Sequence, residues 1–261
     1  MSIHPTAIIS DEAEIAADAT IGPFCVVTGK VRIGAGTVVE AHARIGSPFG
    51  EVTIGRENYI QGGAALGGPP QDWTYREAYT RLEIGDHNRI GENATIHLGT
   101  AKQEGVTRIG NHTYLMAYTH VAHDCNVQDH ALMINLAQLG GHSIVEPRAV
   151  VGGIVAVSQF VRIGRLSFTA LGAMANKDIL PFTIAEGHWA VPKATNKIGM
   201  RRAGYEPDEI REVDRAVRIL LDRRLTIAEA IERVRENGEP GPAVSQLLEF
   251  AATSKRGLAR A

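Results

Sequence analysis

Residues 109–164, written in sixes, read IGNHTY-LMAYTH-VAHDCN-VQDHAL-MINLAQ-LGGHSI-VEPRAV-VGGIVA-VSQFVR-IG. The first column is aliphatic throughout: Ile109, Leu115, Val121, Val127, Met133, Leu139, Val145, Val151, Val157 and Ile163. The fifth column is small or β-branched: Thr113, Thr119, Cys125, Ala131, Ala137, Ser143, Ala149 and Val155. A helix repeats near 3.6 and a strand near 2, so neither alone explains a period of six. A short strand followed by a tight corner does. Three such units close a triangular coil, and coils stack ~4.8 Å apart as a parallel β-helix.

The same period runs outward to the N-terminus through Ile3, Ile9, Ile15, Ile21, Val27, Ile33, Val39 and Ile45, then Ile54, Ile60, Leu66, and Ile84, Ile90, Ile96. Glycine often follows the aliphatic, as in Ile33-Gly34 and Ile90-Gly91, and is expected to relieve corners that need unusual dihedrals. Composition agrees with a narrow prism: of 261 residues 28 are Gly, and only 5% are aromatic. The chain is 44% hydrophobic and 21% charged, ordinary for a globular protein, with no apolar run of the ~20 residues a membrane span needs. A net charge of -2 argues against a nucleic-acid binder. The N-terminus has no basic region followed by an apolar core, so no signal peptide is expected. Cys25 and Cys125 fall on inward small positions ~26 Å apart along the axis, too far for a bridge. A reducing, cytoplasmic location and no stable membrane insertion follow.

The register breaks briefly at 47–53 and at length at 67–83 and 97–107. A prism accepts insertions only at its corners, so both long segments are expected to project as loops. After Ile163 the period fades. Pro207-Asp208-Glu209 opens a helix with Ile210, Val213, Val217, Leu220 and Leu221 on one face. Thr226 to Glu229 is a capping box, and Gly241-Pro242 starts a last helix. The expected organisation is a parallel β-helix over 1–193 and a small α-helical domain over 194–261. The second carries Arg201, Arg202, Arg211, Arg215, Arg218, Arg223 and Arg224, suited to an acidic partner.

Chemistry concentrates in Thr119-His120-Val121-Ala122-His123-Asp124-Cys125. His120 and His123 flank the inward Val121 and should lie on the outer surface or its corners. One coil later stand Gly141 and His142, so stacking sets them ~5 Å from His123-Asp124. An imidazole beside a carboxylate suits a general base, and a glycine amide one rung away suits an oxyanion donor. His120 and His123 are also candidate zinc ligands, though spacing supplies no third ligand.

The segments THVAHDC, QDWTY with TRLEIGDHNRI, IGENATIH, GGHSIV, VSQF and NKIGMRRAGY occur in the order seen in a known family. The chain resembles the hexapeptide-repeat acyltransferases, and within them the acyl-carrier-protein–UDP-N-acetylglucosamine O-acyltransferases of lipid A synthesis, over nearly its whole length. The resemblance implies a left-handed prism, a homotrimer, and transfer of a 3-hydroxyacyl chain from acyl carrier protein to the sugar 3-hydroxyl without cofactor, metal or covalent intermediate. It implies that His123 is the base, Asp124 its carboxylate and Gly141 the oxyanion donor. It places Asp72, His120, His142 and Gln159 along the substrate site, and Asn196 and Arg202 as nucleotide contacts offered by a neighbouring subunit. Leu171 takes the position of the acyl-chain ruler, roughly 8 Å along the axis from Gly141 and roughly 13 Å from His123, which suits a chain of roughly 6 to 10 carbons beyond the carbonyl. Thr74, Ser158, Ile198 and Ala203 depart from the family's lysine, histidine, glutamate and arginine, which leaves an amino-substituted UDP-sugar as an alternative acceptor. A related N-acyltransferase would carry a uridine-binding domain ahead of the prism, whereas here the repeat begins at Ile3. A trimeric β-helical carbonic anhydrase or a non-catalytic scaffold is the remaining alternative.

Overall fold

The computed structural model describes residues 2–260. Strands, most of them two residues long, alternate with corners from Ser2 to Thr195. They form three sheets of 11, 9 and 8 strands, the faces of a triangular left-handed β-helix. The first face starts at Ser2–Ile3, the second at Ile8–Ile9 and the third at Glu14–Ile15. All pairing is parallel except in the last hairpin, where Thr183–Glu186 meets Val191–Thr195.

Register follows the six-residue period. Ile3 pairs with Ile21, Val121 with Leu139 and Val127 with Val145, each eighteen residues on. Where the chain is interrupted the ladder skips the insertion: Val39 pairs with Ile60, Ile60 with Ile90 and Ile90 with Leu115. The first-column aliphatics fill the prism, and Ile45, Ile60, Ile90, Leu115, Met133 and Val151 are fully buried. Each such side chain contributes about 1.5–3 kcal/mol relative to exposure. Aromatic rings stay outside, as at Phe24, Tyr118 and Phe160; Phe182 is buried only where the prism end meets the helices. Both cysteines are buried and unbridged.

Three local expectations change. Most glycines after the aliphatics do not serve unusual dihedrals; Gly46 and Gly67, with φ of 84° and 83°, are the ones that do. Corner residues with positive φ are mostly other types, including Tyr118, Asp124, Leu136 and His142. Gly34 and Gly91 are needed because the next coil passes close: a Cβ would lie 2.6 Å from the Gly55 carbonyl carbon and 2.4 Å from the Ala117 nitrogen respectively. In the fifth column Asn58 and Asn88 take the small residue's place, completely buried. Asn88 Oδ1 accepts from the Thr113 N–H and hydroxyl, and its Nδ2 donates to Gly110 O, so their burial leaves these amides paired. The loops are also shorter than 67–83 and 97–107. The chain leaves the ladder after Gly68 and His97 and rejoins at Thr80 and Val106. The reason is pairing: Gly50–Ile54, Thr80–Ile84 and Val106–Ile109 are longer strands stacked on one another.

Four helices follow: α1 (Lys197–Arg202), α2 (Pro207–Leu221), α3 (Ile227–Arg235) and α4 (Pro242–Thr253). Ile210, Val213, Val217 and Leu220 of α2 are buried, and Thr226 and Glu229 cap α3 reciprocally. Their core joins Leu166, Leu180 and Phe182 at the end of the prism. The tail returns to the prism through Asp178, whose carboxylate accepts from the Ser254 hydroxyl and the Arg162 N–H. Arg211, Arg218 and Arg224 pair with Asp208, Asp214 and Asp222, so less of the arginine charge is free than its count suggests.

Candidate active site

The edge between the second and third faces carries His123 and Asp124 at one corner. Gly141-His142 and Gln159-Phe160 occupy the next two corners of the same edge, one coil apart. Asp124, His142 and Phe160 each take a positive φ of 59°, 62° and 65°, the second central position of a tight turn. The His142 N–H donates to His123 O, and the Phe160 N–H to Gly141 O, so backbone hydrogen bonds lock successive corners together.

His123 Nδ1 lies 2.9 Å from Asp124 Oδ2. The carboxylate also accepts from the Thr100 N–H at 2.9 Å and from its hydroxyl at 2.7 Å. Burial by itself would raise the Asp124 pKa, but the hydrogen bonds from His123 and Thr100 outweigh it and hold the carboxyl below its ordinary value. Asp124 is therefore ionised at neutral pH. Its contact with His123 then needs a proton on Nδ1, so in the neutral ring the lone pair is on Nε2. The Cε1–Nε2 edge of the ring faces Gly141, where an added Cβ would lie 2.5 Å from Cε1 and 2.7 Å from Nε2. The Gly141 N–H has no acceptor among the described residues. A base and an unused donor thus stand side by side.

His142 crosses the His123 ring edge-on at 5.0 Å and stacks on Phe160 at 4.5 Å. Its Nε2 is 3.7 Å from Asp124 Oδ2, and its buried Nδ1 has no partner among the described residues. Burial lowers its pKa despite the nearby carboxylate. His120 binds Thr95 Oγ1 through Nδ1 and meets His97 edge-on; burial, then His97 and His123, push its pKa down to about 4. Gln159 is exposed. A groove of about 620 Å³ runs from His142 and Phe160 along the third face to Arg162, Lys255 and Arg256.

The two loops close over this edge. Asp72 accepts from the N–H and hydroxyl of Thr74 on one oxygen and binds Lys102 Nζ through the other. Lys102 foremost, with Thr74, holds the Asp72 carboxyl far below the ordinary range. Four residues that the sequence did not single out emerge here: His97, Thr100, Lys102 and Thr107. His97 Nδ1 bonds Pro69 O at the root of the first loop, and Thr107 Oγ1 accepts the Asp124 N–H. Carrying the ladder across the insertion from Thr95 to His120 would have revealed His97; nothing periodic points to the others.

Several placements need correction. His123 sits at a corner, as expected, but is 4% exposed and not on the surface; the His142 ring lies edge-on to it, and Thr100 of the 98–105 loop holds the neighbouring Asp124. Leu171 does not share its edge. From Gly141 it is one coil and two thirds, and those two thirds turn it onto the edge between the first and second faces, stacked over Gly153. Within one chain it cannot end a groove that starts at His123. Asn196 caps α1, accepting from the Gly199 N–H while its Nδ2 donates to Leu166 O. Arg202 is exposed in the last turn of the same helix. The third ligand that spacing lacked is also present: His123, Asp124 and His142 offer ligand atoms within 4.8 Å of one another, whereas His120 is turned to Thr95 and His97.

A left-handed β-helix bearing a buried His–Asp pair against a free amide defines an acyltransferase of the hexapeptide-repeat class. Residues 2–47 match the family model for bacterial transferase hexapeptide repeats, and 178–259 that for UDP N-acetylglucosamine O-acyltransferase, domain 2. The acyl-[acyl-carrier-protein]–UDP-N-acetylglucosamine O-acyltransferase of Thiobacillus denitrificans is 42% identical and covers 99% of each chain; that of Syntrophobacter fumaroxidans is 40% identical over 100% of each. The UDP-N-acetylglucosamine O-acyltransferase structure from Moraxella catarrhalis superposes with a TM-score of 0.94 at 40% identity, covering 100% of both chains. The Francisella novicida enzyme gives 0.95 at 34% identity, covering 99% of this chain and 94% of its own. The chain belongs to the acyl-[acyl-carrier-protein]–UDP-N-acetylglucosamine O-acyltransferase family.

Proposed function

We propose that this protein transfers a 3-hydroxyacyl group from the thioester of acyl carrier protein to the 3-hydroxyl of UDP-N-acetylglucosamine, the first step of lipid A biosynthesis. The observation that carries it is the buried His123–Asp124 contact beside Gly141, whose N–H has no acceptor among the described residues. Nε2 takes the sugar hydroxyl proton as that oxygen attacks the thioester carbonyl. The carbonyl oxygen becomes anionic and accepts from the Gly141 N–H. Collapse breaks the carbon–sulfur bond, and the imidazolium returns its proton to the departing thiolate. Asp124 stabilises the imidazolium and keeps the ring in the productive tautomer. Cys125 is no nucleophile, since burial pushes its thiol up to about 12.

Asp72, His120, His142 and Gln159 line the substrate site in this scheme, with Asn196 and Arg202 reaching it from a second copy. A homotrimer is consistent with the apolar ridge of Tyr118, Leu136, Ile154 and Leu171, each between 46% and 73% exposed on one edge. In that assembly Leu171 would bound the acyl groove of its neighbour. Arg201, Arg202, Arg215 and Arg223, without ion pairs among the described residues, offer charge to an acidic carrier protein. The helical segment from about residue 194 would form a second domain, and two buried free thiols suit the cytoplasm. Among the described residues no helix is long and apolar enough to cross a membrane.

The test is mass spectrometry of products formed from UDP-N-acetylglucosamine and a panel of hydroxyacyl carrier-protein donors. His123→Ala should lower turnover at least about a hundredfold with assembly unchanged. Near-normal turnover in that variant would refute the assignment.

A further inference from the structure

The short loop at 98–105 touches both ends of the candidate site. Thr100, 2% exposed, grips the Asp124 carboxylate twice, through its N–H to Oδ1 and its hydroxyl to Oδ2, the oxygen that also holds His123. Two residues on, the Lys102 N–H donates back to the Thr100 hydroxyl oxygen at 3.4 Å. The Lys102 ammonium then crosses to the other loop and lands on Asp72 Oδ2 and Thr74 Oγ1. Both charged groups lie within electrostatic reach of His142. A continuous chain therefore runs from Asp72 through Lys102 and Thr100 to Asp124 and His123.

Each link has a chemical reason. A carboxylate held by one imidazole alone is free to rotate, and rotation would release the Nδ1 proton to move to Nε2 and destroy the base. Two further donors on the same carboxylate remove that freedom. Asp72 faces a different problem. Thr74 fixes only one of its oxygens and belongs to the same loop, so it cannot set where that loop sits over the edge. Lys102 does, and it places a cation at 74 where the chain carries threonine.

We propose that the 98–105 loop is a two-ended positioning strut, Thr100 aligning the proton-accepting pair and Lys102 aligning the Asp72 carboxylate that meets the acceptor sugar. The assignment of those two ends to base and acceptor rests on the reaction proposed above. Neither residue touches the reacting atoms, so each has its own signature. Thr100→Val keeps shape and N–H but deletes the hydroxyl; kcat should fall about tenfold with both KM values within about twofold, and Thr100→Ser should restore it. Lys102→Met should raise the KM for the nucleotide sugar about tenfold with kcat within about threefold, and adding Thr74→Lys should recover much of that loss.

A second readout needs no turnover. Nitrogen-15 spectra of the imidazoles should report His123 as a single Nδ1–H tautomer in the unmodified protein and as a mixture in Thr100→Val. Unmodified protein that transfers no acyl group would count against the proposed reaction, leaving the Thr100 end to be judged by tautomer. Unchanged kcat and an unchanged tautomer in Thr100→Val would overturn the strut. So would parallel losses of kcat, KM and melting temperature in both variants, which would make the loop a simple cover.

Discussion

Replacing His120 with Gln should make the fold less sensitive to acid. Burial, followed by the neighbouring imidazoles of His97 and His123, holds the His120 pKa down to about 4, against an ordinary value of 6.5. The ring is thus neutral in the folded chain and takes up a proton on unfolding at any pH between those values. Because the unfolded state binds more protons there, stability rises with pH: the contribution is complete above about pH 6.5 and lost progressively towards pH 4. Between pH 7.5 and 5.0 the linkage amounts to about 2 kcal/mol. The ring is only partly buried, and screening by solvent reduces this to about 1 kcal/mol. Gln at this position can still meet the Thr95 hydroxyl, so the exchange removes the titration with little loss of packing. Urea unfolding at both pH values and one fixed protein concentration measures the difference. His97 and His142 are depressed in the same direction, but both proteins keep them and their effect cancels. Equal acid sensitivity in the two proteins would show that His120 is not held neutral by its surroundings.

Gly141→Ala places a methyl carbon 2.5 Å from His123 Cε1 at a glycine whose own φ is not left-handed, so only the ring must move. Turnover should fall at least about a hundredfold while circular dichroism stays unchanged; activity within a factor of three would separate Gly141 from the base. Leu171→Gly should shift donor preference from a 10-carbon towards a 14-carbon hydroxyacyl chain by about tenfold or more, read from competing donors in one reaction. Preference for the 14-carbon donor in the unmodified protein would remove Leu171 as a length limit.

The parts of the molecule that the sequence made legible are those governed by the period. His123, Gly141 and Gln159 differ by eighteen residues, as do Asp124, His142 and Phe160, and hydrogen-bond geometry turns that spacing into vertical neighbours. Leu171 obeys the same rule, but its offset from Gly141 sets an edge as well as a height. Five units of six make one full turn and two thirds of another, and the fraction, which decides the edge, matters more than the rise. The period therefore carries angular as well as axial information.

What stayed hidden lies where the period is interrupted. Thr100 meets Asp124 across 24 residues and Lys102 meets Asp72 across 30, and neither separation is a multiple of the coil. Repeating backbone hydrogen bonds impose no register on a loop, so its landing point is set by individual side chains that no spacing announces. The consequence reaches His123. Its corner was predictable, but its 4% exposure and the loop contact that fixes Asp124 beside it were not. Periodic strands thus explain how a histidine, a carboxylate and an amide come to be neighbours. Aperiodic loops explain why the carboxylate is multiply held. Both conditions are required of a general base that must recover its proton-accepting state after every turnover, so catalytic competence depends on contacts that the repeat alone cannot specify.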